Sequence, residues 1–195
     1  MMLLAGRLPL AVAERLSYRD IFHRYLKLDP HYATVTELAV CAERRGLSIP
    51  LGMPTDDVDP WLDLLLTHVI EPHLGQDRLS FVYDYPVSQA ALARLRPGDP
   101  PVGERFELYV NGLELANGFH ELSDASEQRR RFEAENAARR RQGLPAMPID
   151  EHLLAALEAG LPDCAGVALG FDRLVMLAAD KASIQEVIAF PVEIA

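Results

Sequence analysis

Glu107 and Glu114 stand seven residues apart, with Asn111-Gly112 between them. Asn-Gly between two alternating runs is a strong short-range signal for a two-residue hairpin turn. Folded about that turn, Val110 faces Leu113, Tyr109 faces Glu114 and Glu107 faces Ala116. Glu107 and Glu114 are then diagonal neighbours within about 8 Å. Two carboxylates that close repel each other unless a cation sits between them. Hard oxygen ligands on a rigid sheet suit Mg²⁺, which keeps waters and shares phosphate oxygens. Ala116 and Gly118, on the same face, leave room for a ligand to lie on the strand. The same residues also make an ordinary solvated polar face of an antiparallel sheet.

Glu121 follows Glu114 by seven residues, an odd offset that puts it on the opposite face of a regular strand. A bulge or break near Gly118 would return it to the face of the other acids, so Glu121 joins them only if the strand is irregular. Gly166-Val167-Ala168-Leu169-Gly170 alternates small and large residues. Val167 and Leu169 are expected in the core, with Gly166, Ala168 and Gly170 leaving a flat floor for a planar base or an amino-acid backbone. Asp172 is expected to cap the helix that follows. Arg173 in its first turn would suit a phosphate. The third glycine of a dinucleotide fingerprint and its βαβ setting are both missing, which excludes a Rossmann reading.

The elements that must position these residues change character along the chain. Ser17 with Asp20 opens a helix whose apolar face is Ile21, Phe22, Tyr25 and Leu26. Thr36 opens a second helix over 37–45, stopped by Gly46. A third spans Trp61 to Ile70, with Leu62, Leu65, Leu66 and Val69 on one side. From Leu79 strands dominate: Phe81 to Tyr83, Glu104 to Val110 and Leu113 to Phe119. The face bearing Phe106, Leu108, Val110, Leu113, Leu115 and Phe119 is expected to pack on helices. Two further helices follow, over 126–141 and from the Asp150 cap to Gly160. Then come a buried strand at 164–169, a helix at 172–179 and a last strand from Ile188 to Phe190. Helices first, then a hairpin and mixed elements, define an α+β fold.

Composition removes other classes. The 195 residues are 49% hydrophobic and 25% charged, with a net charge of −10. That is too apolar for a disordered acidic tail and too acidic for a sequence-independent nucleic-acid binder. No apolar run is long enough to span a membrane. Leu3, Leu4, Leu8 and Leu10 precede an Ala11-Val12-Ala13 that resembles a leader cleavage site, but Arg7 interrupts them and no basic segment comes first. Cys41 and Cys164, far apart and without metal-ligand spacing, read as small residues of a reducing, cytoplasmic protein. His23, His31, His68, His73 and His152 form no metal-ligand spacing either. Arg129 to Arg131 and Arg139 to Arg141 are interleaved with Glu127, Glu133 and Glu135, as on a solvated helix face; the alternative is a docking surface for an acidic partner or an RNA-like shape.

Two segments together carry a resemblance. The run from Phe106 to Phe119 resembles the late catalytic core of class II lysyl-tRNA synthetases, and Gly166 to Arg173 is similar to the third signature motif of class II synthetases. The likeness extends from Leu16 to Pro191. His120 (usually Ser in the tRNA synthetases), Ser123-Asp124-Ala125 and Ala168 (usually Gly) resemble the branch of that family that acts on elongation factor P rather than tRNA. That branch activates (R)-β-lysine with ATP and joins it to a lysine of elongation factor P. The resemblance implies an antiparallel sheet flanked by helices, with residues 1–78 as a helical layer and 79–195 as the sheet and third-motif region. It implies Glu107 and Glu114 on Mg²⁺, and Glu114, Leu115, Gly170 and Arg173 on ATP, with Arg173 the catalytic arginine. It implies Asn117, Glu121 and Ala168 at the amino acid, Glu121 pairing with the side-chain ammonium.

The first two class II motifs, including the arginine that holds the α-phosphate, are not found before the hairpin. The chain therefore reads as an N-terminally truncated catalytic domain, and its independent activity is the open expectation. The implied partners are elongation factor P and a lysine or β-lysine substrate, without tRNA or membrane, in a protein that is a homodimer at full length. The alternatives are a lysyl-tRNA synthetase fragment and an inactive synthetase-derived binding module.

Overall fold

The computed structural model describes residues 11–191. The leucines from Leu3 to Leu10 and Arg7 lie outside them. The order is β1 (Glu14–Ser17), α1 (Tyr18–Leu26), α2 (Val35–Arg44), α3 (Asp59–Leu65), β2 (Ser80–Pro86), β3 (Leu95–Arg96), β4 (Val102–Val110), β5 (Leu113–His120), α4 (Ala125–Arg141), α5 (Glu151–Ala159), β6 (Ala165–Leu169) and α6 (Phe171–Ala179). The fold is α+β. The six-stranded sheet runs β1-β2-β4-β5-β6, with the short β3 also on β4. Every pairing is antiparallel except β1 with β2, which is parallel, so the sheet is mixed rather than wholly antiparallel. β1 lies just before the first expected helix, in the segment read as a helical layer, and was not expected as a strand.

The helices start where side chains satisfy their free N–H groups. Ser17 Oγ accepts from Asp20 N at 3.0 Å, and the Asp20 carboxylate accepts from Ser17 N at 3.1 Å. α1 then buries Tyr18, Ile21, Phe22 and Leu26. α2 begins two residues earlier than expected, because Thr34 and not Thr36 forms the reciprocal cap with Glu37. α3 continues as a π turn (Leu66–Ile70) and a 3₁₀ turn (Glu71–His73). The wider winding moves the buried face by one residue, so Ile70 is fully buried where Val69 was expected. These helices share one core with Leu16, Val82, Tyr85 and Tyr109 of the sheet.

That core corrects the expected facing. Glu107, Tyr109 and Val82 lie on the face that meets the helices, whereas Phe106 points away with Phe81 and Tyr83. Val167 and Leu169 also face away; they are 63% and 50% exposed, so β6 is not a buried strand. At α6 the N-cap is Gly170, without a side-chain bond, and Asp172 sits inside the first turn. The expected strand from Ile188 to Phe190 does not form. Ile188 N–H instead returns to Ile184 O at 3.2 Å, using its donor locally after a short 3₁₀ turn at Ile184–Glu186.

Asn111 and Gly112 both have positive φ, 51° and 75°, as a type I′ turn requires. Their N–H groups bond Gly75 O and Leu74 O at 2.8 and 2.7 Å, pinning the hairpin tip to the end of the helical layer. Gly75 (φ 69°) is so close that a Cβ there would lie 2.5 Å from Tyr109 O, a backbone atom that cannot swing aside. Gly75→Ala is expected to lower stability by at least about 2 kcal/mol in urea unfolding. An unchanged midpoint would show that the tip is not clamped there.

Candidate active site

β5 carries one residue too many for its partner. Val110–Leu113 and Tyr109–Glu114 pair as expected, but the register then shifts, and Leu108 faces Ala116 while Glu107 faces Asn117. The expected Glu107–Ala116 pair is therefore wrong, because Leu115 is inserted as a bulge. Its consequence is on the face. Glu114, Asn117 and Phe119 now share the side of Glu107 and Arg105, while Ala116 and Gly118 turn to the opposite side with Leu108 and Phe106. Phe119 was expected with Phe106. The ladder to β6 is regular from Ala116 to His120, so no irregularity lies at Gly118; the bulge three residues earlier brings Glu121 round.

The backbone oxygens at the bulge hold the third-motif segment. Leu115 O accepts from Gly170 N at 2.8 Å, and Glu114 O accepts from Arg173 Nη1 at 2.6 Å. The Arg173 guanidinium also stands 3.5 Å from Glu114 Oε2. Ala168 lies opposite Asn117, and Gly166 opposite Phe119, so the small residues of β6 floor the same face. A cavity of about 310 Å³ opens there, lined by Glu114, Leu115, Asn117, Ala168, Gly170 and Arg173 among others.

Glu121 is the residue that follows β5. The position of a Cβ on Gly166 would be 2.6 Å from Glu121 Oε1, so the carboxylate lies over that glycine. No described residue forms an ion pair or side-chain hydrogen bond with it.

Glu107 lies deeper. It is 6% exposed and receives hydrogen bonds from Arg105, from Tyr109 OH at 2.5 Å and from Asn117 Nδ2 at 3.1 Å. Three of its roughly four acceptor sites are thus taken. Arg105 also donates to Gln89 O at 2.8 Å and stacks its guanidinium 4.4 Å from the centre of the Tyr85 ring. Arg105 was not singled out from the sequence. The available signal was an opposite charge two residues from Glu107 on a strand, hence on the same face. Tyr109 OH also lies 3.2 Å from Glu71 Oε1, placing a third carboxylate behind the site. Burial and Glu107 raise the carboxyl pKa of Glu114, and Arg173 opposes the rise. Burial raises that of Glu71 too.

No group of three or more His, Cys, Asp or Glu among the described residues stands ready to hold a metal alone, and the five histidines noted above gather nowhere. A Mg²⁺ carried mainly by phosphates needs only one or two carboxylates. Glu114, with the last acceptor site of Glu107, fits that demand. On α4, Arg129 pairs with Glu151 at 2.6 Å and Arg130 with Glu127, as on a solvated face, whereas Arg131 is half-buried and also donates to Ala91 O and Ala93 O. Cys41 and Cys164 are free and half-buried.

The family model for class II tRNA synthetases (D, K and N) matches residues 11–194. The chain belongs to that family. It is 55% identical over 181 residues to the elongation factor P–(R)-β-lysine ligase of Klebsiella pneumoniae strain 342, and 52% identical to the ligase of the same name from Salmonella dublin. Each match covers 93% of this chain and 55% of the relative. The chain thus spans about half the length of these curated relatives.

Removing one partner of a buried ion pair leaves the other charge uncompensated. Arg105→Met is expected to cost about 3 kcal/mol in urea unfolding, and adding Glu107→Gln should restore much of it. A loss under about 0.5 kcal/mol in the single variant would contradict the pairing.

Proposed function

We propose that this chain supplies the part of a ligase site that holds ATP and a lysine-like diamino acid. The reaction is activation of (R)-β-lysine, or lysine, and its transfer to a lysine of elongation factor P. The observation that carries this reading is the Glu121 carboxylate, without a side-chain partner among the described residues and held over Gly166 on the same sheet face as the Glu114–Arg173 cavity. A carboxylate without a partner in a half-enclosed site is an acceptor for an ammonium, and a charge-assisted bond selects that group. The names of the relatives agree with a β-lysine substrate and an elongation factor P acceptor.

In this reading the substrate carboxylate oxygen attacks the α-phosphorus of ATP, forming the acyl-adenylate and releasing pyrophosphate. The acceptor amine then attacks the acyl carbon, loses a proton and releases AMP. No side chain forms a covalent intermediate. The chain's residues act by alignment and charge placement. Arg173 sets positive charge beside the ATP phosphates, Glu114 and Leu115 line the nucleotide, and Gly170 lies against the adenosine. Asn117 holds the amino-acid end, with its own amide fixed by Glu107. Mg²⁺, held through Glu114 with Glu107 behind it, would offset phosphate charge when bound.

Ala168 adds one methyl to the floor opposite Asn117. That methyl crowds an α-amino group and favours an amine one carbon further along. One methyl of pocket shape is worth about 1–3 kcal/mol. A second reading is a nucleotide-binding module without catalysis, which the Glu114–Arg173 cavity alone would serve.

ATP–pyrophosphate exchange separates the two. Exchange that prefers (R)-β-lysine over lysine is expected, with Ala168→Gly narrowing the preference about tenfold. Folded protein with no exchange for either amino acid would leave the binding module. An unchanged preference in Ala168→Gly would remove the role of the methyl.

A further inference from the structure

Glu121 has no side-chain partner among the described residues, yet its carboxylate must be held in one place to select an ammonium. The backbone around it is held on the other side of the sheet. His120 precedes it, and alternation sends the two side chains to opposite faces. His120 Nε2 lies 2.5 Å from Asp163 Oδ1, and Nδ1 lies 3.3 Å from Glu104 Oε2. Arg94 closes the circuit, with Nε 2.7 Å from Glu104 Oε2 and Nη1 3.2 Å from Asp163 Oδ1. Arg94 and His120 therefore alternate with Glu104 and Asp163 in a ring, each touching both carboxylates. Both nitrogens of His120 face carboxylates.

The ring joins four segments that meet at Glu121. Arg94 precedes β3, Glu104 lies in β4, His120 ends β5 and Asp163 precedes β6. Backbone bonds run through the same place. Arg94 N donates to His120 O at 2.8 Å, Glu104 N to Arg94 O at 2.9 Å, and Glu121 N to Cys164 O at 3.0 Å. Ala93 bridges to Glu121, and Leu122 N donates to Leu92 O at 3.0 Å. The peptide on each side of Glu121 is thus tied to a segment that carries a ring member or its neighbour.

We infer that His120 and Asp163, closed into a ring by Arg94 and Glu104, are positioning residues that hold the Glu121 carboxylate over Gly166 for the distal ammonium of the substrate. This rests on the functional reading above. The ring does not touch the cavity beside Arg173. It therefore bears on amino-acid affinity and not on ATP. Asp163 is 79% exposed, so replacing it leaves the core intact.

The test measures the affinity of the chain for (R)-β-lysine, lysine and ATP, together with hydrogen exchange at the Glu121 amide. Asp163→Asn and His120→Gln are each expected to weaken diamino-acid binding about fivefold, the worth of one net hydrogen bond. ATP binding should be unchanged, and the Glu121 amide should exchange faster. Asp163→Glu should restore binding. Glu121→Gln separates the two claims. If it loses diamino-acid binding while both ring variants keep it, the ring is not a positioning device and only this inference falls. If Glu121→Gln binds like the unaltered chain, or the unaltered chain binds no diamino acid, the functional reading fails and the inference falls with it.

Discussion

The bulge at Leu115 decides what the rest of the site can be. A regular β5 would keep Glu114 beside Glu107 but send Asn117, Phe119 and Glu121 to the other side of the sheet. One inserted residue puts all four on one face and frees Leu115 O for Gly170 N–H. Arg173, bound to Glu114 O, secures the start of α6 to the same point. The bulge thus acts twice: it sorts the side chains, and its oxygens hold the segment that brings Ala168 and Gly170 alongside.

The sheet face that results is divided between structure and chemistry. Over β1, β2 and β4 it is covered by α1, α2 and α3, and Val82, Tyr85 and Tyr109 join their core. Over β5 and β6 the same face is open and floored by small residues. Glu107 lies at the boundary. It is buried like a core residue, neutralised by Arg105, and still bonded to Asn117 of the open half. Through Tyr109 the network reaches Glu71, whose segment is tied to the hairpin tip at Leu74 and Gly75. Helix packing and site geometry are in this way mechanically continuous.

Local features were legible in the sequence. The Ser17–Asp20 box, the Asn111-Gly112 turn and the Asp150 cap depend on residues within three positions of one another, and each stands where expected. The α+β class and the family resemblance were legible too, since the hairpin and third-motif segments are short and contiguous. What was not legible depends on docking. The π turn at Leu66–Ile70 has no local residue signature, and the bulge at Leu115 is held by Gly170, far along the chain. The facing of the sheet was misread because Phe106 and Leu108 are the more apolar residues, yet Tyr109 and Glu107 meet the helices. Large apolar residues on the opposite face, including Val167 and Leu169, remain exposed. Hydrophobicity alone therefore could not rank the two faces.

The most direct test of the account uses a non-reactive sulfamoyl analogue of the β-lysyl adenylate, titrated into the chain beside a version whose distal amine is replaced by a methyl group. A charge-assisted bond to Glu121 is worth about 1.5–3 kcal/mol. The amine form should therefore bind at least about tenfold more tightly, and the difference should vanish in Glu121→Gln. Equal affinity for both analogues, or no saturable binding of either by folded protein, would contradict the claim that this sheet face recognises an adenylated diamino acid.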